Sequence, residues 1–477
     1  MGSPVMKARN PRSGEADYDF PESSLADIAA EAARLRLAQP AWEALGPEGR
    51  AAVLLRLAEA VEADAASIAA ALAVDTGRRT IAAIEVQGFI ANLRRWAKRG
   101  PEIFASLDCG PKSSLTPGIE IATRYSAFPL FGAIAPWNFP LILSHIDAVP
   151  ALMAGAAALV KPSEVTPRFV EPMRSVLAKV PELPLAYVMG GAEAGQGLIE
   201  AVDYVCFTGS TATGRKVAEA AARKLIPANL ELGGKDPVIV TASADSEWAA
   251  GVALRSSILA TGQACQSIER IYVARTIAEP FLAALVAGAQ AVRLTHPDPA
   301  SGHCGPFIFA PQGEKVQAQI DAAAAMGAKV LTGGTVEHLD GGTWLRPTVL
   351  ADVTPDMAVM REETFGPVLP VTVFDTLEQA IALANDSAYG LSAAVLAGTL
   401  EEAAAIAPLL DVGAVSLQDG ALTSMVGDAT NLSRKGSGLG PSRMGDSGLR
   451  RFLREQALIC QTGTALTIDA YAERGGA

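Results

Sequence analysis

Short apolar runs that each end in a polar or glycine-containing turn recur through the middle of the chain. Four of them predict strands at residues 132–135, 157–160, 186–189 and 204–207. Helical patterns separate these runs, in units of about 25 residues, which is typical of parallel strands joined by helical crossovers. The sequence therefore predicts a doubly wound sheet, and such a sheet binds ligands at the carboxyl ends of its strands.

A second series of the same kind begins near Lys235. Its predicted strands lie at 236–240, 271–274, 329–331, 368–373 and 393–396, and its predicted helices at 246–260, 278–292, 312–326 and 377–385. The stretch from about 24 to 72 is predicted to be helical, because apolar residues recur there at steps of three and four. The sequence thus predicts an α/β protein with two Rossmann-like doubly wound domains.

Composition and charge exclude several classes of protein. The formal net charge of −12 argues against nucleic acids and anionic membranes as partners. The longest apolar run, about 13 residues, is shorter than the roughly 20 that a membrane span needs. Five scattered cysteines without a CxxC pair, and four histidines without ligand spacing, predict neither a metal site nor a disulfide framework. These features predict a soluble, cytoplasmic protein of two or three domains.

Six motifs follow one another along the chain. They are APWNFPL (135–141), LVKPSE (159–164), FTGSTATG (207–214), LELGGK (230–235), GQACQSIER (262–270) and EETFGPV (362–368). In these motifs, and in the 34-residue separation of Glu231 and Cys265, the chain resembles the aldehyde dehydrogenase superfamily. The resemblance is to its NAD(P)-dependent, non-phosphorylating, hydrolytic members, and it runs from Asn10 to about Gly438.

The chemistry of an aldehyde oxidation fits three of these residues. Hydride leaves more readily from a tetrahedral adduct than from a free carbonyl, and a cysteine thiolate is the best nucleophile to form that adduct near neutral pH. Cys265 is the candidate, although an isolated cysteine is more commonly a small buried apolar residue. The resemblance implies that the Asn138 amide and the Cys265 backbone N–H stabilise the oxyanion. Glu231, flanked by two leucines that predict an apolar setting, is the candidate general base for thioester hydrolysis.

The candidate cofactor residues form a second group. Gly209 and Ser210 follow a predicted strand and open a helix, where backbone N–H groups meet a pyrophosphate, although this turn is not GxGxxG. The resemblance implies that Lys161 and Glu164 hydrogen-bond the adenosine ribose, and the Glu164 carboxylate favours NAD over the 2′-phosphate of NADP. Ser163 leaves NADP possible. The other cofactor contacts implied by the resemblance are Pro136, Trp137, Gly191, Glu363 and Phe365.

The resemblance also implies a domain organisation and an assembly. It implies an NAD-binding domain of residues 1–108 and 128–232, a catalytic domain of residues 233–433, and a small β oligomerisation element of residues 109–127 and 434–477. A homodimer or homotetramer is expected, with segments 107–121 and about 457–466 pairing between subunits. Phe139, Leu143 and Ile146 follow Asn138 and predict an apolar entry, which favours an aromatic or medium-chain aliphatic aldehyde as substrate.

Three other outcomes stay open. The acyl group could pass from the thioester to coenzyme A, although family branches that do so commonly lack the glutamate at the position of Glu231. The chain could be a catalytically retired member that serves as a binding or structural protein, but all the key residues are present. A thiol redox sensor is the least favoured, because no second cysteine lies near Cys265 in the sequence.

The C-terminal part departs from the family pattern. Within residues 429–440 the Ser-Gly-x-Gly element is present at Ser437, but the Pro-Phe-Gly-Gly element that precedes it in the family is absent. Because the region borders the substrate entrance in the family, the departure bears on the substrate rather than on the chemistry. Arg434, Lys435 and Arg443 are interpreted as solvated loop charges in preference to contacts with an anionic substrate.

Overall fold

The computed structural model describes residues 5–107 and 110–473. Two doubly wound sheets organise these residues, one of six strands and one of seven. The α/β fold class predicted from the alternation of strands and helices is therefore confirmed. Residues 1–4, 108–109 and 474–477 lie outside the described residues. Cys109 and the predicted domain limit at 108/109 are therefore not described.

The six-stranded sheet is parallel except at one edge. In spatial order its strands are Gly438–Leu439, Ala228–Glu231, Tyr204–Thr208, Leu130–Ile134, Ala157–Lys161 and Leu185–Tyr187. The edge strand Gly438–Leu439 runs antiparallel to its neighbour, with Gly438 opposite Glu231. A segment from the C-terminal part of the chain thus completes the sheet that the N-terminal part builds.

Side chains of this sheet enter two apolar clusters, one on each face. Phe131 and Ala133 join one cluster and Leu130 the other, because successive residues of a strand point to opposite faces. The first cluster includes the helices Gly46–Ala63, Ala65–Thr76, Arg79–Leu107 and Ala148–Ala154, and the second the helices Leu25–Ala44, Ala192–Ala201 and Thr211–Lys224. Helices on both faces leave the carboxyl edge of the strands free for ligands.

The seven-stranded sheet is parallel except for its first strand. In spatial order its strands are Lys329–Thr332, Thr348–Ala351, Val368–Phe374, Ile268–Ala274, Asp236–Val240, Ser392–Leu396 and Ala414–Leu417. The main helices between them are Ser246–Ile258, Ala278–Ala291, Ala310–Ala325, Leu377–Asn385 and Leu400–Ile406. The predicted boundary at residue 233 falls between the two sheets, and the division into domains stays a prediction.

Two predicted elements differ from those observed, and one helix was not predicted. The helical pattern between the first two predicted strands, which favours one helix over 141–155, is two short helices, Pro140–His145 and Ala148–Ala154. Asp147 lies at the break between them, where its carboxylate is held by two arginines. The final strand is Leu453–Gln461 rather than 457–466, and the helix Arg79–Leu107 was not predicted.

Smaller sheets complete the described part of the chain. The strand Leu453–Gln461 pairs with Ile119–Ala127, which also pairs with Lys112–Ser113. The two-stranded sheets are Val5–Arg9 with Ala16–Pro21, Val336–Leu339 with Gly342–Leu345, and Tyr389–Gly390 with Arg434–Lys435. Among residues 5–107 and 110–473, none of the helices has the length and apolarity required to cross a bilayer.

Candidate active site

Cys265 lies in the loop between the helix Ser246–Ile258 and the strand Ile268–Ala274. The residues Ala260, Thr261 and Gly262 enter this loop with φ values of 55°, 62° and 67°. Two left-handed residues that are not glycine are costly and persist only where their surroundings hold them. Gln263 supplies part of that restraint, since its buried amide donates to the Pro306 carbonyl at 3.1 Å and accepts from the Ile308 N–H at 2.9 Å.

Asn138 is held against this loop. It follows the central strand Leu130–Ile134, is buried, and donates from Nδ2 to the carbonyl of Gln263 at 3.0 Å. An amide nitrogen carries two N–H groups, so one donor of Asn138 stays free. In the described part of the chain the backbone N–H of Cys265 also has no acceptor. Two unused donors therefore flank the thiol-bearing loop.

The segment that begins with Glu231 also touches the cysteine loop. Glu231 ends the strand Ala228–Glu231, and Gly234 three residues later lies against the backbone of Cys265. A Cβ on Gly234 would stand 2.5 Å from the Cys265 carbonyl oxygen, closer than real side chains approach. The three predicted catalytic residues, from segments 93 and 34 residues apart, thus belong to one neighbourhood.

The surroundings of the Glu231 carboxylate differ from the prediction of an apolar setting. Leu230 and Leu232 join a buried apolar cluster, because neighbours along an extended chain point to opposite sides. The carboxylate between them is polar in its contacts. Glu231 Oε2 accepts from the Ser433 hydroxyl at 2.7 Å, and Oε1 lies 4.0 Å from the Nε of Arg443.

The electrostatic environment of Cys265 favours the thiol. Burial raises the pKa of the Cys265 thiol to about 12, and the carboxylates of Glu363, Asp236 and Glu231 raise it as well. The Arg443 guanidinium lowers it. Because burial is the largest of these effects and disfavours the charged form, the buried Cys265 is held as the thiol.

A buried ion pair positions the EETFGPV loop. Lys235 Nζ lies 2.7 Å from the Glu269 carboxylate, which accepts from the backbone N–H groups of Thr364 and Phe365 at 2.8 and 2.7 Å. These bonds hold Phe365 at a φ of 54°. Glu363 precedes them and accepts from the Gly234 N–H at 3.2 Å. The predicted cofactor residue Glu363 therefore lies beside the Glu231–Gly234 segment.

Burial also acts on Glu363. It raises the pKa of the Glu363 carboxyl to about 7, and the nearby Glu269 raises it too, while the Gly234 N–H and two lysines lower it. A carboxyl with this pKa changes charge close to neutral pH.

The carboxyl edge of the six-stranded sheet carries most of the predicted cofactor residues. Lys161 is buried with Nζ 3.1 Å from the half-exposed carboxylate of Glu164. Ser163 accepts from the Val165 N–H at 3.2 Å, which stabilises the turn between them. Ser210 caps the helix Thr211–Lys224 by accepting from the Thr213 N–H. The backbone N–H of Gly209 donates to the Glu231 carbonyl at 3.1 Å.

Aromatic rings line the approach to the loop. Pro136 and Trp137 are half-buried after the central strand, and the Trp137 ring packs edge-on against Phe365 with centroids 5.3 Å apart. Phe309, which the sequence analysis did not select, lies 6.2 Å from the same ring. Gly191 opens the helix Ala192–Ala201, and its N–H donates to the Glu22 carboxylate at 3.2 Å.

Of the three basic residues predicted to be solvated loop charges, Arg434 and Lys435 are exposed as predicted, whereas Arg443 is not. Arg443 is buried and ion-paired with Asp147, with 2.8 Å between Nη2 and Oδ2. Arg434 and Lys435 both lie 3.3 Å from the Asp411 carboxylate. Ser433 and Arg443 are the residues near Glu231 whose contacts sequence reasoning missed, since nothing in their local pattern connects them with a segment more than 200 residues earlier.

A metal site and a separate cavity are the remaining candidates for a functional site among residues 5–107 and 110–473. No group of three or more His, Cys, Asp and Glu side chains there could hold a metal ion. A cavity of about 530 Å³ lies behind the cysteine loop, lined in part by Arg78, Ala260 and Thr261. Its lining does not include Cys265, so the cavity is not the reaction site.

The chain is similar to known proteins in sequence and in structure. A family model described as "Aldehyde dehydrogenase family" matches residues 2–458. A protein of Mycolicibacterium smegmatis named "Putative succinate-semialdehyde dehydrogenase", with NADP(+) in its name, is 36% identical over 458 residues, covering 94% of this chain and 87% of its own.

Solved structures show the same likeness. The "Putative Aldehyde Dehydrogenase PutA" of Anabaena variabilis is 46% identical with a TM-score of 0.94, and covers 97% of this chain and 99% of its own. Lactaldehyde dehydrogenase of Escherichia coli is 32% identical with a TM-score of 0.89, and covers 96% of each chain.

Proposed function

Since the chain belongs to the aldehyde dehydrogenase family, we propose that it oxidises an aldehyde to the carboxylic acid with NAD(P), through a thioester on Cys265. One observation carries the proposal. The Asn138 amide binds the cysteine loop through Gln263, and the segment of Glu231 lies against the same loop through Gly234. A nucleophile, oxyanion donors and a carboxylate base are thereby gathered at one point.

In the proposed reaction Cys265 Sγ bonds to the carbonyl carbon, and the carbonyl oxygen takes the negative charge. The free N–H of Asn138 and the backbone N–H of Cys265 donate to this oxygen. A bound nicotinamide dinucleotide supplies the hydride acceptor for the oxidation. Glu231 then takes a proton from water as the water oxygen bonds to the thioester carbon, the C–S bond breaks and the acid leaves.

The carboxyl edge of the six-stranded sheet fits such a dinucleotide. A Cβ on Gly191 would meet no atom within 4 Å, so the chain leaves room there. Glu164 has an oxygen-rich side chain exposed by about 40% and fixed by Lys161, which suits a ribose hydroxyl and repels a 2′-phosphate. We therefore propose NAD as the preferred form, although the Mycolicibacterium relative is named for NADP(+). Faster initial rates with NADP than with NAD at equal concentration would contradict this preference.

The substitution Glu231→Gln tests the proposed mechanism. The amide cannot accept the proton of water, so steady turnover is expected to fall about 100-fold or more, the range of general-base catalysis. Acylation does not need this base, so one rapid burst of reduced nicotinamide per active site should remain. Rapid-mixing absorbance of the nicotinamide measures both phases.

The control is Cys265→Ala, which is expected to lose the burst and the steady rate together. Unchanged steady turnover in Glu231→Gln would eliminate Glu231 as the base. If the parent protein is folded, by its melting temperature, and binds aldehyde and NAD but reduces no NAD, the retired family member is favoured instead.

Transfer to coenzyme A is the alternative enzyme outcome. The presence of Glu231 supports hydrolysis, because its Oε1 is not bonded to Ser433 and can accept a proton from water. Product analysis with and without coenzyme A separates the two, since free acid in both samples supports hydrolysis and acyl-CoA formation contradicts it.

For the substrate we propose an apolar aldehyde, aromatic or medium-chain aliphatic. Phe139, Ile142, Leu143 and Ile146 are half-exposed at steps of three and four, while the residues between them are mostly buried. They form one apolar face directly after Asn138. Arg434 and Lys435 are occupied by Asp411, which argues against an anionic substrate. Comparing kcat/KM for benzaldehyde, hexanal, lactaldehyde and succinic semialdehyde tests this, and highest values for the anionic semialdehyde would overturn it.

The same family membership supports a homodimer or homotetramer and a cytoplasmic location. The three-stranded sheet that contains Leu453–Gln461 lies at the surface, with most of that strand exposed. Sedimentation velocity decides between monomer, dimer and tetramer, and cell fractionation decides the location.

A further inference from the structure

Arg443 is buried with one donor left unpaired. Its Nη2 donates to Asp147 Oδ2 at 2.8 Å and to Thr208 Oγ1 at 2.7 Å. Its Nε is also buried, and in residues 5–107 and 110–473 nothing accepts a hydrogen bond from it. Since buried donors are nearly always satisfied, this N–H is available to an acceptor that moves towards it. The Glu231 carboxylate is 4.0 Å away.

Without Glu231, the positive charges around Arg443 outnumber the negative ones. Arg443 and Arg451 both pair with Asp147, and Arg451 also donates to Asn229. Burial opposes ionisation of Asp147, but the two guanidinium groups outweigh it and hold the pKa of that carboxyl below its usual range. Two permanent positive charges thus face one negative charge, and an ionised Glu231 balances the second.

The anchors of Arg443 decide which of the two side chains moves. The guanidinium is fixed by Asp147 and Thr208, whereas within the described residues the Glu231 carboxylate has a single hydrogen bond, from Ser433. A small rotation of the glutamate would bring Oε1 from 4.0 Å to within hydrogen-bond distance of Nε.

Resting on the proposed function, we propose that Arg443 is a positioning residue of the general base: its Nε–H donates to the Glu231 carboxylate during deacylation and keeps it oriented towards the attacking water. Arg443 does not touch the substrate or exchange a proton. It acts through Glu231 by charge and geometry. No other cation has an ion-pair contact with Glu231 in the described residues.

The groups that face Glu231 come from three elements. Ser433 and Arg443 belong to the C-terminal segment, Cys265 lies in the catalytic loop, and Cys206 on the neighbouring strand is close enough for Glu231 to act on its charge. Burial raises the pKa of Cys206 far above its usual value, so it stays neutral. Arg443 is therefore the group whose loss should change the position of the Glu231 carboxylate.

The test compares Arg443→Gln and Arg443→Lys with the parent protein. In Arg443→Gln the burst should persist while the steady rate falls about tenfold, because only deacylation uses Glu231. Arg443→Lys retains the charge, so its steady rate should lie closer to that of the parent. If Arg443→Gln does not fold, the ratio of steady rate to burst in Arg443→Lys decides alone.

Arg451→Lys is the matched control, since Arg451 shares the Asp147 cluster without touching Glu231. It should lower the melting temperature without lowering the ratio of steady rate to burst. The double variant Glu231→Gln with Arg443→Gln should turn over no more slowly than Glu231→Gln, because Arg443 acts through Glu231. If Glu231→Gln behaves as proposed but Arg443→Gln keeps the parent steady rate, the role of Arg443 is wrong while the function stands. Loss of the Glu231→Gln effect itself would instead remove the proposed function.

Discussion

The thiol of Cys265 is buried among carboxylates. Burial, Glu363, Asp236 and Glu231 raise its pKa, to about 12, and Arg443 lowers it. A group with this pKa is protonated at neutral pH. At the scale of the residue, the sequence predicts Cys265 as the nucleophile, but its protonation depends on side chains that are remote in the sequence.

Alkylation of Cys265 should therefore be slow at pH 7 and accelerate with pH. Because the thiolate is the reactive form and the pKa is about 12, the rate should rise about tenfold per pH unit from pH 7 to 10 without a plateau. Iodoacetamide labelling followed by mass spectrometry measures this rate. Cys265→Ala supplies the background from the exposed Cys460. A plateau below pH 9 would contradict the expectation.

At the scale of the element, a two-residue strand positions the C-terminal segment. The strand Gly438–Leu439 pairs with Ala228–Glu231 and brings that segment to Glu231. Ser433 precedes this strand and Arg443 follows it, and both reach the Glu231 carboxylate. The sequence predicted the Ser-Gly-x-Gly element here but not its pairing, since two residues have no periodicity to interpret.

Gly438→Ala should uncouple this strand. The added Cβ would stand 2.6 Å from the Ser433 Cβ and 2.7 Å from the Leu230 carbonyl oxygen, so the strand must shift. We expect steady turnover to fall about tenfold while the burst remains, because deacylation depends on Glu231. Rapid-mixing absorbance measures both phases.

Ser433→Ala is the control for this prediction, since it removes one hydroxyl from Glu231 without displacing the strand. Its steady rate should lie closer to that of the parent protein. A Gly438→Ala variant with parent rates in both phases would show that the strand does not support the base.

At the scale of the whole molecule, the three-stranded sheet leaves an apolar face uncovered. Ile459 and Ile121 are opposite each other across the strands Leu453–Gln461 and Ile119–Ala127, and they are 70% and 42% exposed. Exposed apolar side chains grouped on one sheet are typical of an interface between proteins. This arrangement supports the oligomerisation role that the resemblance implied for these segments.

Ile459→Lys should therefore weaken the assembly. A charge placed within a buried apolar contact is unfavourable, so the sedimentation coefficient should fall towards that of a smaller oligomer. Leu37→Lys is the matched control, because Leu37 is 84% exposed on a helix away from this sheet. Equal sedimentation of Ile459→Lys, Leu37→Lys and the parent protein would exclude this face as an interface.

Local pattern was sufficient for the fold class and the reaction. Apolar runs with a period of two or 3.6 report which face of an element is buried, and motifs at strand ends report which side chains meet at the carboxyl edge of a sheet. Asn138, Cys265 and Glu231 were selected from their motifs, through the resemblance that these motifs carry. The surroundings of Glu231 could not, because Ser433 lies 202 residues away and Arg443 further still. Contacts over such separations leave no local signature, and they arise only when the C-terminal segment folds back onto the first sheet.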